Sequence, residues 1–272
     1  APTQEREARI GWAPWTWNPV TGCLGPGEDG KPCTYCYARK RAEGRLASNY
    51  PHGFEPTIFP GLLLAPANTK PLAVAEHPMP CSVFVCSMGD LFGPWVPDEW
   101  VRAVLAVERD APQWTFLHLT KPPARLATFL FPPNAWAGTT MTGDDSTPDL
   151  LARADALGEA NAAVRFVSLE PLLGPVPAEE IIRRGRVNWI IIGPQSEPNK
   201  QPEEAWVRQL ELAAERKGIP VFHKPGLRCR ENNRRTEWPK PLPSAAIPEE
   251  MRDADRWLCW RREERDGKPT KV

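Results

Sequence analysis

The sequence predicts an α/β protein whose strands and helices alternate as a partial or complete parallel β/α barrel. Two observations carry that expectation. Short apolar, β-branched runs recur at Ser82–Cys86, Trp114–Leu119, Ala135–Thr140, Val164–Leu169, Trp189–Ile192 and Ile219–Phe222, with helical patterns between several of them. Strand and helix in alternation imply parallel strands, and six or seven such units imply a barrel. The length of 272 residues is enough for one core of that size.

Each helical pattern has its own signal. Asp98 is placed to cap a run carrying Val101, Val104, Leu105 and Ala106 at helical spacing. Residues Thr147–Ala160 form a second pattern, with Pro148 suited to its first turn. In Pro202–Lys217, Trp206, Val207, Leu210, Ala213 and Ala214 share one face, and Gly218 stands just past the end. Many of the 33 prolines follow apolar runs, as expected of loops leaving strand ends. The barrel is assigned to residues 1–240 and a C-terminal extension to residues 241–272.

Composition narrows the class. The 34 basic and 34 acidic residues balance, so the total charge points to no nucleic-acid partner, although a local basic face remains open. Seven cysteines, odd in number and unevenly spaced, do not form a secreted disulfide framework. No apolar run approaches a membrane span, and the opening APTQEREARI lacks signal-peptide character. These features lead us to expect a cytoplasmic enzyme without a membrane partner. The chain starts without Met, consistent with trimming.

The richest chemical signal is Cys23, Cys33 and Cys36 in TWNPVTGCLGPGEDGKPCTYCYARKR. A C-x2-C pair fixes two thiolates at a tight turn, and a third nearby completes a three-sulfur face. Structural zinc prefers four ligands, so three suit a [4Fe–4S] cluster that keeps one iron open. A zinc knuckle with a distant fourth ligand is the alternative. Polar residues also end the apolar runs: Ser87 and Asp90, Thr120 and Lys121, Thr139 and Thr140, Ser168 and Glu170, Gln195, and Lys224. A barrel would gather these strand ends at one mouth, with the cysteine motif in its first βα loop.

With these residues in view, the chain resembles the phage-associated, radical-SAM-like proteins of largely unassigned role. The blocks that carry the resemblance are TWNPVTGC…CTYCYA, VFVCSMGDLFGPWVPDEW, LHLTKPPARL, AVRFVSLEPLLGPV, WIIIGPQSE and VFHKP, spanning Ile10 to Cys229. Departures are the long loop between Cys23 and Cys33, Cys86 in place of a more usual Asn, Gly193-Pro194-Gln195 for Gly-Gly-Glu, and His223-Lys224-Pro225 for a Phe-Lys-Gln-like end.

The resemblance implies a barrel of radical SAM type. Its three cysteines would hold a [4Fe–4S] cluster whose open iron is chelated by S-adenosylmethionine. One-electron reduction by an outside donor then cleaves the cofactor and starts hydrogen abstraction. Tyr35 matches the aromatic that packs near the adenine, Ser87 and Asp90 would hold the methionyl amino group, and Ser168 and Glu170 would face the ribose. CTYCY is also similar to the core of DNA photoproduct lyases, which use an extra cysteine as hydrogen-atom donor, a role that Cys86 would fill here.

Substrate expectations rest on position. Lys121 and Gln195 end strands, and Lys224, Arg228, Arg230, Arg234, Arg235 and Lys240 form a basic segment after the last one. That segment is expected to line the substrate entrance and meet phosphates of DNA or a nucleotide, with Trp238 stacking a base. In the tail, Trp257–Trp260 and Pro269–Val272 flank an Asp-Gly turn and read as a hairpin. The tail resembles the opening of phage primase-like modules, implying a longer natural protein. Two functions therefore stand: a radical SAM enzyme acting on nucleic acid, in repair or modification, and a zinc-stabilised, non-catalytic phage accessory protein that binds nucleic acid.

Overall fold

The computed structural model describes residues 3–4, 10–25, 32–70, 77 and 79–240, with two short strands at 262–265 and 268–271. In chain order the elements are β1 (Thr3–Gln4), β2 (Trp15–Trp17), β3 (Val20–Thr21), α1 (Tyr37–Ala42), β4 (Thr57–Ile58), α2 (Pro60–Leu63) and β5 (Ser82–Val85). There follow α3 (Asp98–Arg109), β6 (Thr115–Thr120), β7 (Ala135–Thr140), α4 (Thr147–Gly158), β8 (Arg165–Leu169), α5 (Ala178–Arg184), β9 (Trp189–Ile192), α6 (Glu204–Lys217) and β10 (Val221–His223). The last two are β11 (Arg262–Arg265) and β12 (Lys268–Lys271). The chain divides into two units, Ala1–Lys240 and Pro241–Val272.

In the first unit, strands β2, β5, β6, β7, β8, β9 and β10 pair in that order, all parallel, and β1 adds antiparallel to β2. Each successive parallel strand joins the same growing edge, so the sheet winds one way and curls into a half-barrel. Its two faces bury different sets. Val83, Val85, Phe116, Ala137, Val167, Ile190 and Val221 pack with the helices, whereas Phe84, Leu117, Trp136, Phe166, Ile191 and Phe222 line the inner face. This is the period-2 alternation of strands covered on both sides.

The sequence signals shape the ends as well as the bodies. Pro148 lies in the first turn of α4, where Ser146 accepts the Asp149 N–H as its cap. Gly218 closes α6 in a left-handed conformation, φ 63°. Asp98 is the first residue of α3 rather than its cap, which is Pro97, and its carboxylate binds Arg102 and Arg125 instead. The first barrel strand, Trp15–Trp17, and helix α5 carry no recognisable signal in the sequence, because three residues and seven residues hold too little periodicity. In the second unit β11 pairs antiparallel with β12, from Arg262 opposite Lys271 to Arg265 opposite Lys268. The expected strand at Trp257–Trp260 lies outside the described residues. Among the described residues no helix is long and apolar enough to cross a membrane.

Candidate functional site

Because the seven strands are parallel, their C-terminal ends share one edge, and the loops there hold most of the sequence-predicted site. The thiol loop is anchored to that edge by two glycines. Gly22 donates its N–H to Met88 O at 2.9 Å and accepts from Asp90 N at 3.2 Å. A Cβ on Gly89 would meet the Gly22 backbone at 2.9 Å, and one on Gly22 would meet Glu55 O at 2.3 Å. Only glycine at both positions allows that approach. Asn18 strengthens the join, its Oδ1 accepting from Met88 N at 2.9 Å and from Ser87 Oγ at 3.2 Å. Sequence reasoning missed Asn18, although Asn-Pro after an apolar run is a turn signal.

Cys23, Cys33 and Cys36 are free and half-buried. Cys23 and Cys36 pack against one small apolar group, Ala38, Ala42, Phe54 and Met88. Cys36 is also the N-cap of α1, its sulfur accepting the Arg39 N–H at 3.4 Å. Arg39 reaches back from α1 to donate to Cys23 O at 3.0 Å. Lys121, from the end of β6, donates to Tyr35 Oη at 2.8 Å and lies 3.9 Å from Cys33 Sγ. Burial, with help from the Asp90 carboxylate, pushes the Cys23 thiol up to about 12. Burial also raises Cys33, which Lys121 partly offsets. Burial raises Tyr35 likewise, again against the pull of Lys121. Desolvation works against the Lys121 ammonium, but Tyr35 and Cys33 hold it above its ordinary value. Buried thiols of this kind give up their protons when a metal replaces them.

Among the described residues no three His, Cys, Asp or Glu side chains converge on a point that one metal ion would occupy. Tetrahedral zinc draws its sulfurs to about 2.3 Å from one centre. A cluster ligated by three cysteines takes one thiolate on each of three irons, so its donors need not share a centre. By donor chemistry three soft thiols suit an iron–sulfur cluster, and they suit zinc as well.

Asp90 is buried and wholly engaged. Its carboxylate accepts from Thr120 Oγ1 at 2.7 Å, Phe92 N at 3.2 Å and Lys121 N at 3.1 Å. Burial holds its pKa above the ordinary carboxylate value, against those hydrogen bonds. It ties the end of β5 to the end of β6 and so places Lys121. Ser87 is half-buried and tethered, its carbonyl accepting the Tyr37 hydroxyl at 2.6 Å.

The far side of the same edge carries Ser168, Glu170 and Lys224. Ser168 shares the inner face with Phe166, two residues before it, is 1% exposed, and its Oγ has no hydrogen-bond partner among the described residues. A buried orphan hydroxyl is the kind of group a ligand satisfies. Glu170 and Lys224 form an ion pair at 2.8 Å. Gly193 makes room for it, since a Cβ there would meet Lys224 Cγ at 2.9 Å and Glu170 Cγ at 3.1 Å. Gln195 sits in the loop after β9, its amide donating to Pro198 O at 2.9 Å.

Two expectations are corrected. Cys86 does not face the mouth: its backbone turns left-handed at φ 55°, which ends the alternation of β5, and the side chain joins the helix-side core with Trp17, Val20 and Val85. It is 3% exposed, and burial raises its thiol strongly. The basic segment does not form an entrance wall either. After Lys224 the chain turns and runs back beside β10, with His223 N donating to Arg235 O and Glu237 N to Val221 O. Arg230 is taken up by Glu211 and Glu204, and Arg235 by Glu237 and Glu215. Arg235, Trp238 and Lys240 thereby line a cleft of about 670 Å³ with Asn188 and Gly218, near the start of β9 and before β10. Trp238 is half-buried, tilted against Trp189 and edge-on to Phe222 of the inner aromatic group. Arg234 remains exposed.

These features define a partial parallel β/α barrel with a three-thiol loop at the C-terminal ends of its strands. The chain belongs to the family described as Protein of unknown function (DUF5131), whose model matches residues 7–240. No curated protein and no solved structure matches it.

Proposed function

We propose that the chain is a radical SAM enzyme that acts on DNA or another nucleic-acid or nucleotide substrate. Cys23, Cys33 and Cys36 are the residues that would hold a [4Fe–4S] cluster. The supporting observation is their setting: three free thiols on a glycine-pinned loop at the strand-end edge of a parallel half-barrel. When bound, such a cluster supplies the electron that cleaves S-adenosylmethionine and starts hydrogen abstraction. The chain's own residues have distinct tasks. Asp90 positions Lys121, and Lys121 holds Tyr35 and sets a positive charge beside Cys33. Ser168 offers a desolvated hydroxyl to the cofactor, and the Glu170 carboxylate, steadied by Lys224, offers acceptors beside it.

Anaerobically purified protein should be brown and contain iron and sulfide. Cys33→Ala should lose both, together with cofactor cleavage. Zinc without iron, or a Cys33→Ala protein that loads iron and cleaves the cofactor normally, would reject the reading.

A further inference from the structure

The thiol loop leads into α1, and the two faces of that helix differ. Ala38 and Ala42, four residues apart, are buried against Phe54 and Met88. Tyr37, Lys40 and Arg41 stand on the other face, with Arg45 just past the helix end. Tyr37 is 41% exposed, Lys40 and Arg45 are exposed, and Arg41 is half-buried with its guanidinium 5.1 Å from the Tyr37 ring centroid. From Cys33 to Ile58 the chain carries four cations and two acids. Arg39 takes one acid, pairing with Glu43 at 2.9 Å. Lys40, Arg41 and Arg45 make no ion pair among the described residues. The contrast with Lys224, Arg230 and Arg235 is direct, because each of those is held by a glutamate.

We infer that the outer face of α1 binds a nucleic-acid strand, with Lys40, Arg41 and Arg45 on phosphates and the Tyr37 ring against a base. Cations interleaved with an exposed ring match a strand, which presents both phosphates and base faces. An acidic protein surface would answer only the charge. Cys36 caps the same helix, and six helical residues span about 9 Å. A strand held there lies beside the thiol loop. The inference rests on the proposed function only in making that strand the substrate; the binding itself needs no metal.

The test is fluorescence anisotropy of a labelled single-stranded oligodeoxynucleotide with the full chain across a salt series. Affinity should fall with salt. The Lys40→Glu, Arg41→Glu, Arg45→Glu triple variant should bind at least about tenfold more weakly and flatten the log–log salt slope by about 2, at ~0.7 per lost phosphate contact. Arg45→Glu alone, outside the helix, should lower affinity without touching the packing of α1. No salt-dependent binding by the native chain, or unchanged affinity in both variants, overturns the inference. Loss of binding in Arg234→Glu but not in the α1 variants overturns it in favour of the other segment. A triple variant that binds the strand normally but is reduced more slowly by an acidic flavoprotein overturns it in favour of a protein partner. Iron content separates the two readings. A triple variant that keeps iron and loses the strand supports this inference and leaves the cluster standing. A native chain without iron that still binds through α1 sinks the cluster alone.

Discussion

Followed along its inner face, the half-barrel changes character from one end to the other. The N-terminal part is filled by rings: Trp12, Phe84, Trp136, Phe166, Trp189 and Phe222 are buried together, and Trp189 lies within 6.4 Å of five other rings. The C-terminal edge carries thiols, a buried carboxylate, an orphan hydroxyl and an ion pair. The same strands make both ends. On β10 and the residue after it, Phe222 enters the aromatic group, His223 turns to the helices and Lys224 joins Glu170. The difference is one of composition: rings pack the N-terminal part of the inner face, and the thiols, the buried carboxylate and the ion pair stand at the other end.

Removing a ring tests the first half of that comparison. Trp189→Ala should cost about 3–5 kcal/mol in denaturant unfolding. Metal loading of the protein that remains folded should be unchanged. A loss below about 1 kcal/mol would mean that the rings do not carry the fold.

The ion pair tests the second half. Glu170→Ala removes the carboxylate 2.8 Å from the Lys224 ammonium, whose side chain is 8% exposed. The expected cost is about 2–3 kcal/mol, discounted from a fully buried pair because Glu170 is 24% exposed. Lys224→Met should then cost less in that background than in the native chain, and single-variant costs that simply add would show that the two sites are independent.

A smaller, pH-dependent effect comes from the helix side of β10. His223 is fully buried, its Nδ1 accepts the Arg235 N–H at 3.0 Å, and Nε2 lies 3.2 Å from Glu211 Oε1. Desolvation, partly opposed by Glu211, lowers its pKa from 6.5 to about 4. Between those values the unfolded chain binds more protons than the folded one, so stability falls as pH drops through that window. It is fully present above pH 6.5. The slope should reach about 1 kcal/mol per pH unit, and His223→Gln should flatten it. Unfolding midpoints from pH 7 to pH 4 would check this.

Lys121 and Asp90 show where sequence reading is sufficient and where it stops. Lys121 directly follows β6 and Asp90 lies past the turn after β5, because alternating runs fix strands and parallel strands fix a common edge. Neither the bond from Lys121 to Tyr35 nor the closure of Asp90 over Thr120 is legible in the sequence, since those contacts join residues 86 and 30 positions apart. Cys86 departs from expectation for a local reason: one left-handed residue reverses its direction, and β-strand periodicity cannot foresee that. The basic segment departs for a topological one: six cations look alike in sequence, and only the antiparallel return beside β10 decides which are paired.

By itself the sequence determined the alternation, the parallel order of the strands, the helix ends at Pro148 and Gly218 and the three-cysteine motif, because each is a short-range pattern of side-chain size, polarity and backbone freedom. Tertiary structure alone decided which cations are paired, which thiols meet the edge and where the rings gather. Those depend on charges and rings brought together from distant positions, where burial and pairing, rather than residue type, set what a side chain is able to do.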